Sequence, residues 1–306
     1  MLLPPTKTAP RGVLPCSMAD PPSAAKPRPR SELVMRLVQP VASAGVRLLA
    51  PTGLNPLLIV LTHASFGFTA ALLLILQPPR YALFAALLLL AKMLLDNMDG
   101  ALARVTGQIT QMGRYFDTGM DFFVNIALFI ALAWHGPPLL SLLAFVLLTL
   151  MLSLDYNAER LYKLEHRGPP IEADAPLGAP RPLFRFFKAL YDYLLAPQDA
   201  LIATWDKVRF ENLSGLAYSA APQEMRRVWA DLFSTAALVN LGLSTQMVIF
   251  SVCLLLRHPF WYVYSIFLGA VYVLWVQLRR ARRFRRYLRT MPAYSPPAHP
   301  TEEKRV

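Results

Sequence analysis

The chain alternates between long runs of apolar residues and shorter polar segments. Each run is close to the roughly 20 residues that a helix needs to cross the hydrocarbon core of a bilayer. The runs lie at about 54–76, 81–98, 115–134, 139–157, 232–256 and 259–278. The pattern therefore predicts an all-α integral membrane bundle of six transmembrane helices.

A further helical segment precedes the first run. From Ser31 to about Ala50, apolar residues at helical spacing mix with Arg36 and Arg47, and Pro40 is expected to bend the helix. This mixture is typical of a helix that lies in the membrane interface. We therefore expect an N-terminal amphipathic interfacial helix ahead of the first span.

The composition agrees with a membrane protein and adds a strong positive charge. Of the 306 residues, 55% are hydrophobic and 16% are charged, and the formal net charge is +12. Excess cationic charge of this kind is expected to contact membrane lipids with anionic head groups. No nucleic-acid-binding module is recognisable, so we expect no nucleic-acid partner. The two cysteines, Cys16 and Cys253, give no basis for a disulfide framework or a zinc cluster.

The distribution of Lys and Arg predicts the orientation of the bundle. These residues are scarce in the loops near Arg80, at 135–138 and near Arg257, and they are abundant on the opposite side. The positive-inside rule then places both termini and the polar segment 96–121 on the cytoplasmic side. The expected location is an inner membrane of the bacterial type.

Four aspartates and several small residues lie in the segment 96–121. One helical face is shared by Asp96, Asp99, Gly100, Ala103 and Arg104, and one face of the next helix by Gly113, Asp117 and Asp121. If a turn around Gly107 makes the two helices antiparallel, the four carboxylates converge within metal-binding distance. Clustered carboxylate oxygens suit Mg²⁺ or Mn²⁺, and such ions commonly bind phosphate groups.

The small residues indicate what binds beside these carboxylates. Gly100 and Ala103 leave the helix surface open to a ring or a phosphate, and Arg104 can contact an anionic group there. The combination indicates a nucleotide diphosphate held by two divalent cations. A nearby carboxylate could then accept a proton from an attacking hydroxyl.

These eight positions match, without a gap, the signature D-x2-D-G-x2-A-R, eight residues, then G-x3-D-x3-D. The chain therefore resembles the CDP-alcohol phosphotransferase family. The resemblance implies a six-helix membrane enzyme, usually a homodimer, that transfers a phosphoalcohol unit from a CDP-linked donor to a hydroxyl acceptor and releases CMP. One departure lies in the first span, where relatives often carry Pro-Asn ahead of a Thr and this chain has Asn55-Pro56 and Thr62.

The resemblance also implies a role for each motif position. The ligands of two divalent cations, Mg²⁺ or Mn²⁺, would be Asp96, Asp99, Asp117 and Asp121. Asp121 would also be the catalytic general base. The CDP moiety would lie along Gly100, Ala103, Arg104 and Gly113.

The absence of any fused soluble domain favours one choice of substrates. In it, CDP-diacylglycerol is the donor and a small polar alcohol of the glycerol phosphate or inositol type is the acceptor, in phospholipid synthesis. The reverse arrangement, a CDP-alcohol donor with a lipid hydroxyl acceptor, stays open. A membrane prenyltransferase would need two Asp motifs far apart, and a transporter would place its aspartates near the span centres. Both fit less well.

Composition and the apolar pattern divide the chain into three parts. Residues 1–30 are rich in Pro, Ala and cationic residues, which predicts a disordered basic tail, and Met18 within it is a second candidate start. The membrane domain is expected at 31–280 and a basic tail at 281–306. Within the domain, the insertion 158–230 has helical patterns at 183–195 and 201–213. These helices are expected to lie on the membrane, fold back over the active site or dock on a partner.

Several polar residues near the motif have two interpretations each. Lys92, one turn before Asp96, is expected to snorkel or to balance charge instead of acting in catalysis. Five further residues could either contact the acceptor or serve helix packing and interfacial anchoring: Arg114, Asn125, Asp155, Glu159 and Arg160. The arginines from Arg279 to Arg289 are interpreted as a membrane-surface anchor.

Overall fold

The computed structural model describes residues 33–76, 78–167 and 181–291, which are helical with short connections and contain no strand. The helices are α1 (Leu33–Leu49), α2 (Pro56–Leu76), α3 (Pro78–Val105), α4 (Gln111–His135), α5 (Pro138–Arg167), α6 (Arg181–Leu190), α7 (Ala196–Ser214), α8 (Gln223–Trp229), α9 (Leu232–Val239), α10 (Leu243–Leu255) and α11 (Phe260–Thr290). The predicted basic tail at 1–30 lies outside the described residues, as does the end of the chain after residue 291.

The predicted membrane bundle is confirmed. Six segments within the described residues are long and apolar enough to span a membrane: Pro56–Leu76, Arg80–Val105, Gln111–His135, Pro138–Arg167, Gln223–Leu255 and Phe260–Thr290. Their outer faces carry exposed large apolar side chains such as Leu72, Phe84 and Leu268. Because these side chains would be unfavourable in water, the faces suit lipid chains. The protein is therefore an integral membrane protein.

The fifth span differs from the single run expected at 232–256, because α9 and α10 are separate helices. The break lies at Asn240–Gly242. The Asn240 side chain donates to the Ala236 carbonyl oxygen at 2.7 Å and accepts from the Leu33 backbone N–H at 2.8 Å. An Asn that caps one helix and ties down the start of α1 explains why the span is interrupted there.

Helix α2 lies at the centre of the site-bearing half of the bundle. It packs against both α3 and α4. Small residues on its buried face, including Ala64, Gly67 and Ala71, let those helices approach closely. Helix α1 covers the neighbouring surface, where Ala42 and Val46 are buried against Leu102 of α3. The helix predicted at 31–50 is thus present.

The insertion folds back onto the bundle, which is one of the three expected arrangements. Helices α6 and α7 are joined by one π-helical turn, Tyr191–Leu195. The Phe187 ring packs edge-on against Phe116 of α4, with 4.8 Å between ring centroids. Gly119, one turn later on α4, makes room for the ring, since a Cβ added there would lie 2.4 Å from Phe187 Cδ1.

The middle of α7 is anchored to α11. Arg280 Nη1 donates to Asp206 Oδ1 at 2.6 Å, and Arg280 Nε donates to the Trp229 carbonyl oxygen at 2.8 Å. Arg280 is only 6% exposed, so this arginine binds the insertion instead of serving as the expected surface anchor. Helix α11 continues to Thr290, which makes residues 281–290 of the predicted basic tail helical. Phe284 and Leu288 in that stretch are buried.

Candidate active site

The turn between α3 and α4 brings the two halves of the motif together. Gly107 has φ +70°, a left-handed conformation that glycine adopts at little cost. Thr110 then caps α4, because its side-chain oxygen accepts a hydrogen bond from the Gly113 N–H at 3.0 Å. The predicted turn around Gly107 is therefore present, with the first motif half on α3 and the second on α4.

Three of the four motif aspartates converge, and a histidine joins them. One ligand atom from each of His63, Asp96, Asp99 and Asp117 lies within 4.8 Å of the others. His63 Nε2 of α2 is 3.4 Å from Asp99 Oδ2, 3.5 Å from Asp117 Oδ1 and 3.9 Å from Asp96 Oδ1. The imidazole thus links the carboxylates of α3 with the carboxylate of α4.

The donor set of this cluster fits a divalent cation. Within the described residues, neither nitrogen of His63 makes a hydrogen bond, and the buried oxygens Asp99 Oδ2 and Asp117 Oδ1 also lack one. Carboxylates so close together repel one another, and a cation would offset that repulsion. Carboxylate oxygens are ligands for Mg²⁺ or Mn²⁺, and an imidazole extends the set toward transition metals.

His63 was missed by the reasoning from the sequence. Its signal was a single imidazole in an otherwise apolar span, next to Ala64 and one turn before Gly67. An ionisable side chain in such a span is rare and often marks a functional site, but only the position of α2 against α3 and α4 reveals its carboxylate neighbours.

Asp121 lies outside this group and forms an ion pair with Lys92. Lys92 Nζ is 2.6 Å from Asp121 Oδ1, and the lysine is 1% exposed. Gly67 makes room for the lysine, since a Cβ added there would lie 3.3 Å from Lys92 Cδ. Lys92 therefore balances charge inside the bundle and does not snorkel. The roles of Asp121 as metal ligand and base stay predictions.

The residues expected along the nucleotide lie next to the cluster. Gly100, Ala103 and Arg104 are partly exposed on α3. A Cβ added at Gly100 would meet only Arg104 Nη1 within 4 Å, at 3.5 Å, so the backbone there is accessible. One added at Gly113 would lie 3.2 Å from Thr110 Oγ1. Their contacts with CDP stay predictions.

The two polar residues of the first span that depart from the family pattern serve local structure. Asn55 Oδ1 accepts a hydrogen bond from the Leu57 N–H at 3.0 Å, and Thr62 Oγ1 donates to the Leu58 carbonyl oxygen at 2.8 Å. The first stabilises the start of α2. The second satisfies an exposed hydroxyl on a lipid-facing surface.

A family comparison agrees with the geometry of the site. The family model described as CDP-alcohol phosphatidyltransferase matches residues 56–210 of the chain. The chain belongs to this family. Its members transfer substituted phosphate groups in phospholipid synthesis, from a CDP-linked donor to an alcohol, and generally use divalent metals. A comparison with curated proteins gives no match.

A CDP-alcohol phosphatidyltransferase needs room for its acceptor, and a cavity of about 440 Å³ with both apolar and charged lining residues lies beside Asp121. Helices α4 and α5 form two of its sides, the insertion forms a third, and Leu243 of α10 contributes to the lining. Asn125, Asp155 and Glu159, considered above as acceptor contacts, all line it.

The insertion contributes a carboxylate to this cavity. Asp199 of α7 lines it and accepts a hydrogen bond from the Ser153 hydroxyl of α5. Burial raises the pKa of Asp199, while the hydrogen bond from Ser153 and the charge of Arg160 act in the opposite direction. The reasoning from the sequence found no catalytic motif in the helices of the insertion and did not single out Asp199, because no local pattern shows which helix it faces.

Proposed function

We propose that this CDP-alcohol phosphatidyltransferase transfers the phosphatidyl group of CDP-diacylglycerol to a small polar alcohol of the glycerol phosphate or inositol type and releases CMP. One observation carries the proposal: the aspartate and histidine cluster lies at the same end of the bundle as a cavity that is lined by Asp121 and three further carboxylates. The cavity, of about 440 Å³, offers the carboxylates of Asp155, Glu159 and Asp199 as hydrogen-bond acceptors to a small hydrophilic alcohol.

The proposed cofactors are two divalent cations, Mg²⁺ or Mn²⁺. Their proposed ligands are Asp96, Asp99, Asp117 and Asp121, and the position of His63 supports adding its imidazole to the set. Bound there, the cations would supply Lewis-acid stabilisation of the diphosphate and of the CMP leaving group.

The protein's own residues would bind the donor and move the proton. Asp121 accepts the proton of the acceptor hydroxyl as that oxygen forms a bond to the phosphatidyl phosphorus and the bond from phosphorus to the CMP oxygen breaks. Lys92 fixes the carboxylate of Asp121 through the 2.6 Å contact. The CDP moiety lies along Gly100, Ala103, Arg104 and Gly113, so binding at these residues positions the diphosphate for attack.

The activity is tested by CMP release. Purified protein is incubated with Mn²⁺, labelled CDP-diacylglycerol and a panel of small alcohols. In a parallel reaction it is given CDP-alcohols and diacylglycerol. Release of CMP and labelling of a new phospholipid in the first reaction is the expected result. Turnover only in the second would reverse the assignment of donor and acceptor, and no CMP release in either would reject the proposal.

We also propose that the site and both chain termini face the cytoplasm, in an inner membrane of the bacterial type, and that the protein is a homodimer. Cationic residues at the motif end of the bundle, such as Arg114, Lys163 and Arg283, support the orientation, because the opposite loops hold little more than Arg80 and Arg257. Labelling of single cysteines introduced at Gln108 and His258 by an impermeant reagent tests the orientation. Native mass spectrometry of the protein in nanodiscs tests the dimer.

A further inference from the structure

We propose that the insertion completes the acceptor site, and that this site selects a small alcohol without an anionic group, one that offers hydroxyl or ammonium donors to a ring of carboxylates. The inference rests on the proposed function and narrows it. Of the two acceptor types named above, it favours the inositol type over glycerol phosphate and adds amino alcohols to the same class.

The insertion forms a fixed wall of the cavity. Tyr191, Leu195, Gln198 and Asp199 are its lining residues. Two of them are bonded across the cavity edge to α5: Gln198 Nε2 donates to the Thr149 carbonyl oxygen at 2.7 Å, and Asp199 accepts from the Ser153 hydroxyl. Together with the Phe187 and Asp206 anchors, these bonds hold α7 at one distance from α5. The cavity is therefore bounded by the bundle and the insertion together.

The charges that line the cavity argue against an anionic ligand. Besides Asp121, where the proposed cations would bind, its carboxylates are Asp155, Glu159 and Asp199, and its one cationic lining residue among the described residues is Arg114. Three further cations act on these carboxylates: Lys92 pairs with Asp121, Lys163 pairs with Glu159 at 2.7 Å, and the charge of Arg160 acts on Asp199. A phosphate group in the cavity would meet several carboxylates and a single guanidinium, whereas a polyol or an ammonium group would meet hydrogen-bond acceptors.

A second, independent observation points to a polar ligand. The Asn125 side chain lines the cavity and is only 6% exposed, yet its amide has no hydrogen-bond partner among the residues that the structure describes. A buried amide that lacks a partner costs free energy unless a ligand or water satisfies it. Asn125 lies one turn after Asp121 on α4, so a ligand bound to this amide would hold its reacting hydroxyl near the proposed base.

Acceptor preference is the first test. Initial rates of CMP release are measured with Mn²⁺, saturating CDP-diacylglycerol and varied myo-inositol, glycerol, ethanolamine or sn-glycerol 3-phosphate. We expect a non-anionic acceptor to have a KM at least about tenfold below that of glycerol 3-phosphate, as a charge-assisted hydrogen bond would give. Comparison of myo-inositol and glycerol with ethanolamine then shows whether the site prefers a hydroxyl or an ammonium group. An equal or lower KM for glycerol 3-phosphate would overturn the inference.

Two variants test the named residues. Asp199→Asn should raise the acceptor KM about tenfold while the KM for CDP-diacylglycerol stays constant. Its matched control is Asp192→Asn, an exposed aspartate on the same insertion that does not line the cavity. Asn125→Leu should have a similar effect without loss of folding, because it removes no hydrogen bond within the described protein. Acceptor KM values equal to those of the control would refute the role of these residues.

The failure of this inference can be distinguished from failure of the proposed function. Calorimetry measures metal-dependent binding of CDP to the full-length protein without any acceptor. CDP binding and CMP release that favour glycerol 3-phosphate would overturn the acceptor inference and leave the proposed function standing. If CDP does not bind and no acceptor yields CMP, both are wrong.

Discussion

The ammonium of Lys92 lies 2.6 Å from Asp121 Oδ1 and joins α3 to α4 inside the bundle. The lysine is almost wholly buried, so its charge depends on this carboxylate for compensation. Removing either partner alone would leave an unpaired charge in a poorly solvated place. The pair therefore has consequences for stability as well as for the proposed chemistry.

Lys92→Met should lower the free energy of unfolding by about 3 kcal/mol, the typical cost of breaking a buried ion pair from one side. The double variant Lys92→Met/Asp121→Asn should recover most of that loss, because neither side chain of the pair is left charged without its partner. Thermal melting in detergent, followed by intrinsic fluorescence, measures both. Lys188→Met, which breaks an exposed pair with Asp192, is the control and should melt like the parent protein. Equal melting of all four proteins would contradict the prediction.

Asp121→Asn should lower the rate of CMP release by at least about 100-fold, the usual contribution of a general base. The amide keeps the shape of the side chain and cannot accept the proton of the acceptor hydroxyl. Metal-dependent binding of CDP-diacylglycerol should be largely retained, which calorimetry can check. If the variant still turns over at the parent rate, Asp121 is not the base.

His63→Leu should weaken Mn²⁺ binding by about tenfold or more, since even partners behind the direct ligands often contribute that much. Electron paramagnetic resonance of free Mn²⁺ gives the affinity without any need for turnover. His135→Leu is the matched control, because that histidine lies at the other end of α4, where its Nε2 is 2.9 Å from the Ile75 carbonyl oxygen. Identical Mn²⁺ affinities of the two variants would exclude His63 from the metal site.

Gly119→Ala should loosen the insertion, because the new Cβ would lie 2.4 Å from Phe187 Cδ1 and the ring would have to move. Hydrogen exchange across 181–214 should rise, and the acceptor KM should rise with it. Gly269→Ala is the control: its Cβ would meet the flexible end of Met151 at 2.8 Å, which can shift at little cost. Unchanged exchange in Gly119→Ala would show that Phe187 does not anchor α6.

The sequence was sufficient to predict those features that depend on a local pattern of residues. The spans follow from continuous apolar runs, and the spacing of Asp96, Asp99 and Asp117 on two consecutive helices predicts their convergence. Gly107 marks the turn between these helices, because few other residues adopt a positive φ at low cost. Predicting these features requires only the helical period and the position of one turn.

Features that depend on distant parts of the chain were not predictable. The contact of His63 with Asp99 requires α2 to pack on α3, and the pairing of Asp206 with Arg280 joins residues 74 positions apart. Arg280 also belongs to a run of arginines whose sequence is typical of an ordinary membrane-surface anchor. Nothing in either local pattern specifies the partner.

The anchor between Asp206 and Arg280 also has a consequence for the order of events during synthesis. Arg280 lies near the end of the last span, so it leaves the ribosome after the metal-site residues and after the insertion itself. Until then, α7 lacks one of its attachments beside the acceptor cavity. The nascent chain can thus hold its cluster of aspartates in the membrane before its acceptor cavity is complete, and catalytic competence comes with the final helix.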